Sequence, residues 1–133
     1  MRNRKRLAIF FFICMLVFAG ACASQSASTT AFIRPLEIEL TIEPETIYQG
    51  DKALIEAVVV QGKQRVSDAS EAVFEISKKG ENNKETLPAA AKGNGKYALE
   101  KVFAQTGTYT VKAKVTAQDL TAVKSQVITI KEK

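Results

Sequence analysis

Few side chains in this sequence could do chemistry. The 133 residues include no histidine, two cysteines (Cys14 and Cys22) and two methionines (Met1 and Met15). Soft metals need imidazole, thiolate or thioether ligands, and general acid–base work at neutral pH usually calls on histidine or on a carboxylate in a cleft. Ser67, Ser70 and Ser77 lie near Lys78, and Ser–Lys pairs do occur as nucleophile arrangements, but these fall into no such motif. Asp51, Asp68, Glu43 and Glu45 offer hard oxygen ligands. Calcium wants six to eight oxygens converging from one loop, whereas scattered turn acids cap or solvate turns. Gly93-Asn94-Gly95 leads into an alternating apolar pattern, so it reads as a hairpin turn and not as a phosphate cradle before a helix. The expectation is therefore no enzyme, with no catalytic, cofactor-binding or metal-binding residue.

Cys22 needs a different explanation. Met1-Arg2-Asn3-Arg4-Lys5-Arg6 is a basic head, followed at residues 7–21 by fifteen residues without charge. A membrane-spanning helix takes about 20 apolar residues, so this run suits the hydrophobic region of a secretory signal. It ends in Phe18-Ala19-Gly20-Ala21-Cys22, which resembles the lipobox of bacterial lipoproteins. The resemblance implies cleavage before Cys22, a diacylglycerol on its sulfur and acylation of the new amino terminus. Two acyl chains hold a protein on a bilayer stably where one does so only reversibly. Residues 1–21 are thus expected to be a signal peptide, and the protein to sit lipid-anchored on the outer face of the cell membrane.

The charge balance changes once the leader is set aside. Nineteen basic residues against 14 acidic give +5, but four of the basic residues are Arg2, Arg4, Lys5 and Arg6, and residues 1–21 contain no acid. What remains is 15 against 14. A nucleic-acid binder carries a clustered basic footprint, and this chain loses its own with the leader. No cysteine pair is left for a disulfide, so the fold must stand on its apolar core. The 112 residues after position 21 suffice for one domain.

Residues 22–34 read as the lipidated cysteine and a flexible tether. Ala23-Ser24-Gln25-Ser26-Ala27-Ser28-Thr29-Thr30 is small and polar, with no apolar period. From Leu36 the pattern changes. Leu36-Glu37-Ile38-Glu39-Leu40-Thr41-Ile42-Glu43 alternates with period two, the signature of a half-buried strand. Further strands are expected at residues 53–60, 72–76, 96–104, 108–116 and 121–130, with Ala72, Phe74 and Ile76 on one inward face and Tyr109, Val111, Ala113 and Val115 on another. Residues 77–84 read as a polar loop. Ala89-Ala90-Ala91 could make a helical turn, confined by Pro88 and Gly93. Lys112 and Lys114 share a face with Thr108, Thr110 and Thr116. That strip could be a docking surface, but it reads better as an edge strand guarded by charge.

Six or seven short strands in about 100 residues point to an all-β, antiparallel sandwich. Gly107-Thr108-Tyr109-Thr110-Val111 has the spacing of a tyrosine corner, with Val111 where antibody domains have cysteine. The expected fold of residues 35–133 is therefore an immunoglobulin-like β-sandwich.

The order of motifs also resembles a known family. Pro44-Glu45-Thr46-Ile47-Tyr48-Gln49-Gly50, Val66-Ser67-Asp68-Ala69, Ala72-Val73-Phe74-Glu75-Ile76, Gly95-Lys96-Tyr97 and the stretch from Gly107 to Val111 are similar to the YtkA-like, FixH-related domains of small bacterial envelope lipoproteins. The resemblance implies an accessory role in metal delivery or assembly of a respiratory oxidase. Members often carry histidines and a methionine where this chain has Lys114, Thr121 and Leu120. That departure favours the other reading: a membrane-anchored, non-catalytic module that binds an envelope protein partner.

Overall fold

The computed structural model describes residues 32–133, and residues 33–133 form one compact unit. Cys22 and the expected signal peptide lie outside the described residues, as does most of the tether. No helix among the described residues is long and apolar enough to cross a membrane.

All ten elements among the described residues are strands: β1 (Leu36–Glu43), β2 (Ile47–Tyr48), β3 (Lys52–Gln61), β4 (Gln64–Arg65), β5 (Glu71–Lys78), β6 (Lys84–Pro88), β7 (Ala90–Gly93), β8 (Lys96–Val102), β9 (Gly107–Ala117) and β10 (Leu120–Lys131). One sheet has the order β1-β3-β8-β7, with β4 added to β3; the other runs β2-β10-β9-β5-β6. Apart from the parallel contact of β2 with β10, neighbours are antiparallel. This is the strand order of an immunoglobulin-like sandwich whose second sheet carries one extra strand beyond β5. At Pro44 the chain leaves the first sheet, and it joins the second at Ile47.

The alternation at residues 36–43, 72–76 and 108–116 falls in β1, β5 and β9. Ile55, Ala57 and Val59 of β3 face Phe74 and Ile76 of β5 and Val111, Ala113 and Val115 of β9, all nearly inaccessible to solvent. Phe74 lies on the strand where antibody domains place a tryptophan, and Val111 follows Tyr109 at the cysteine position. Burying a side chain such as Phe74 contributes about 1.5–3 kcal/mol, so the apolar faces supply what no disulfide does.

Three expectations require correction. Six or seven strands become ten among the described residues, because β2 and β4 are only two residues long and because two further strands, β6 and β7, occupy the stretch after the polar loop. Ala90 and Ala91 do not turn helically; they pair with Ala98 and Tyr97 as edge strand β7. Backbone hydrogen bonds offered by β8 outweigh alanine's weak helical preference over so short a span. Finally, Lys112 and Lys114 guard no edge. Their strand, β9, is the centre of its sheet, flanked by β10 and β5.

The tyrosine corner is present. Tyr109 Oη donates to the Gln105 carbonyl at 3.0 Å, four residues upstream, and its ring meets Phe103 edge-on with centroids 5.0 Å apart. The bond closes a local corner and does not cross the sandwich end.

Candidate functional site

The outer face of the second sheet gathers the lysines that the sequence assigned to a guarded edge. Along β9 the inward residues are Val111, Ala113, Val115 and Ala117, so Thr110, Lys112, Lys114 and Thr116 stand outward. Register places Lys112 between Glu75 of β5 and Ser125 of β10, and Lys114 between Val73 and Val123. Glu75 lies 3.2 Å from Lys84 Nζ and 3.7 Å from Lys112 Nζ. The hydrogen bond from Lys84 is the main cause holding its carboxyl below the usual carboxylate range. Partial burial opposes that shift, while the charges of Lys84, Lys112 and Lys114 assist it. Lys114 has no carboxylate within salt-bridge distance among the described residues. The result is an outer sheet face with a lysine pair on its central strand: Lys112 shares the one carboxylate of Glu75 with Lys84, and Lys114 has none.

At the hairpin end of that face, Gln118 and Asp119 take positive φ angles of 49° and 63° and close a two-residue turn between β9 and β10. Thr116 and Thr121, opposite each other, bring their hydroxyls to 3.0 Å. Lys114 and Thr121 are therefore diagonal neighbours on the outer face, while Leu120 packs on the inner side against the core around Val115 and Ala117. An ammonium, a hydroxyl and an isobutyl group offer no soft donor at these positions. The residues do not fit a copper or zinc centre.

The remaining candidates are dispersed. Ser67 Oγ accepts from the Gly95 amide at 2.7 Å, and Ser70 Oγ donates to the Thr116 carbonyl at 3.1 Å, so both tie down loops. Asp51 pairs with Lys133 at 3.0 Å. No group of three or more acidic, cysteine or histidine side chains among the described residues could hold a metal ion. A cleft of about 450 Å³ opens at the tyrosine-corner end, lined by Lys78, Lys84, Lys101, Glu81 and Glu85. Its lysines are already engaged: Lys78 with Glu81 and Gln105, Lys101 with Glu85, and Lys84 with Glu75.

A model of the family described as YtkA-like matches residues 30–114. The chain belongs to the YtkA-like family. The match ends at Lys114, so the correspondence of Leu120 and Thr121 with the methionine and histidine positions rests on the motif resemblance alone. No curated protein matches the sequence significantly. Among solved structures, the superoxide reductase (neelaredoxin) from Ignicoccus hospitalis is similar at 14% identity and a TM-score of 0.46, over 80% of this chain and 86% of that one. In this YtkA-like domain, sequence reading missed the clasp of Glu75 by Lys84 and Lys112. Glu75 and Lys112 are 37 positions apart, and only the pairing of β5 with β9 joins them.

Proposed function

We propose that the chain is a membrane-anchored envelope lipoprotein whose immunoglobulin-like domain is a non-catalytic module that binds a protein partner. Acyl chains on Cys22 hold it on the outer face of the cell membrane, and the tether lets the domain stand off the bilayer. The observation that carries partner binding is the position of Lys112 and Lys114 on a central strand. On a central strand these lysines guard no edge: Lys112 has a cross-strand partner in Glu75, while Lys114 has no carboxylate within salt-bridge distance among the described residues. Three lysines, Lys84, Lys112 and Lys114, around the single carboxylate of Glu75 leave a net positive patch that suits an acidic protein surface. Metal delivery finds no support in the donor set, since Lys114, Leu120 and Thr121 replace the ligands that such a role requires.

The test is crosslinking in intact membranes, comparing the wild type with Lys112→Glu/Lys114→Glu. Both residues face outward, so the variant should keep its β-sheet circular dichroism. Loss of a specific crosslinked product supports the assignment; an unchanged product contradicts it.

A further inference from the structure

The second sheet ends in a long unpaired edge. Strand β10 pairs with β9 from Leu120 to Ile130, but on its other side β2 covers only Ile130 and Lys131. From residue 121 to 129 that side has no backbone partner among the described residues. The direction of the free groups follows from the hairpin. With Leu120 and Ala117 closing the two-residue turn, alternate residues of β10 bond to β9, and Thr121, Val123, Ser125 and Val127 direct their N–H and C=O groups outward. Lys131 keeps the same phase, since its carbonyl accepts from the Gln49 amide on the β2 side at 2.8 Å.

Natural sheets blunt or cover such an edge; here the start of β1 lies beside residues 122–124, and Lys124 and Gln126 stand on the inner face of β10, while its outer face from residue 121 to 129 carries no charge. Two of its outer-face residues are exposed valines, Val123 at 54% and Val127 at 64%. The residues between them read Lys124-Ser125-Gln126, and the outer-face residues are symmetric about Ser125: Val123 mirrors Val127 and Thr121 mirrors Thr129, while on the other face Lys124 stands opposite the place of Gln126 and Ala122 that of Ile128.

We propose that β10 pairs antiparallel with β10 of a second copy about a two-fold axis through Ser125. In that register the two Ser125 residues exchange both of their N–H···O=C bonds, because their free groups already point to the edge. Val123 of each copy then meets Val127 of the other, a β-branched cross-strand pair on the same face. Lys124 faces Gln126, so an ammonium meets an amide oxygen and no like charges oppose. Sliding one strand by two residues centres the pairing on Lys124, which sets two ammonium groups opposite each other, or on Gln126, and either slide loses both Val123–Val127 pairs. The symmetric arrangement is isologous and closes after two copies. It joins the two outer faces into one surface, with the lysine strips of the two β9 strands about 14 Å apart at the usual strand spacing.

The experiment is sedimentation equilibrium of the full chain in density-matched detergent. The wild type should sediment as two chains. Val123→Lys/Val127→Lys sets lysine against lysine and should sediment as one chain, as should Val123→Glu/Val127→Glu; both must keep the wild-type circular dichroism. Mixing the two variants should restore a two-chain particle, and Val123→Lys/Val127→Glu alone should remain two chains because each introduced lysine meets a glutamate. A wild type that stays a single chain at 100 µM overturns the proposal. So does a like-charged variant that still dimerises, or a mixture that does not, since pairing through another surface or with an unrelated strand would ignore these charges.

Discussion

The hydroxyl of Tyr97 donates to the Val66 carbonyl at 3.1 Å and accepts from the Ala69 amide at the same distance. One side chain from β8 thereby satisfies two backbone groups of the loop between β4 and β5. Its ring is 3% exposed, so nothing but protein can replace those bonds.

Tyr97→Phe should therefore cost about 1–3 kcal/mol, the penalty for leaving buried backbone groups unpaired. Thermal unfolding should register it as a fall in Tm of about 10 °C. Tyr109→Phe breaks a bond to Gln105 at an exposed corner and keeps the contact with Phe103. Water can solvate the freed Gln105 carbonyl, so the fall should be less than half as large. Equal losses would contradict this ranking of the two tyrosines.

Gly95 marks a second place where backbone geometry dictates residue type. It sits at φ +74°, and an added Cβ would lie 2.9 Å from the Val59 carbonyl oxygen. Gly80 has a similar φ of +87° with open space around it. Gly95→Ala should destabilise by more than about 2 kcal/mol, against about 1 kcal/mol for Gly80→Ala. Denaturant midpoints measured at constant m-value would check the difference.

Much of the sandwich was legible because alternating strands declare which face is buried. Phe74 and Ile76 needed no partner in view to be placed inward. What a strand pairs with is a different matter. Thr108, Thr110, Lys112, Lys114 and Thr116 look the same whether β9 is an edge or a centre, and the guarded-edge reading failed for that reason. The alanines at 89–91 misled for another: they have little side chain to pack, and pairing of Ala90 and Ala91 with β8, and of the Ala89 amide with the Ala72 carbonyl, decided their conformation. Of the candidate site, the residue types were legible from the start, while the clasp of Glu75 appeared only with the pairing of β5 to β9.

That clasp makes stability depend on pH. Glu75 has its folded pKa lowered, chiefly by the hydrogen bond from Lys84. A depressed carboxyl contributes stability above its unfolded pKa and loses it as pH falls through the folded value. Glu75→Gln should thus be less stable than the wild type at pH 7, and the gap should close in the acid range below the ordinary carboxylate pKa. Urea melts at pH 7 and pH 2.5 would show it. A gap that widens on acidification would reverse the sign and contradict the assignment.

Metal titration addresses the departure from the histidine-bearing pattern. With Lys114, Leu120 and Thr121 at those positions and Cys22 acylated, the lipidated protein should bind neither Cu(I) nor Zn²⁺ with submicromolar affinity. Calorimetry or competition with a chromogenic chelator would measure this. A stoichiometric tight complex would return metal delivery to consideration.

The central claim is that acyl chains on Cys22 fasten a β-sandwich to the membrane, and radiolabelled palmitate tests it most directly. Cells expressing the wild type should yield a labelled band at the size of the mature protein. Cys22→Ser should give none and leave the unprocessed chain. Equal labelling of the two, or an unlabelled wild type released from membranes by salt, would contradict the account.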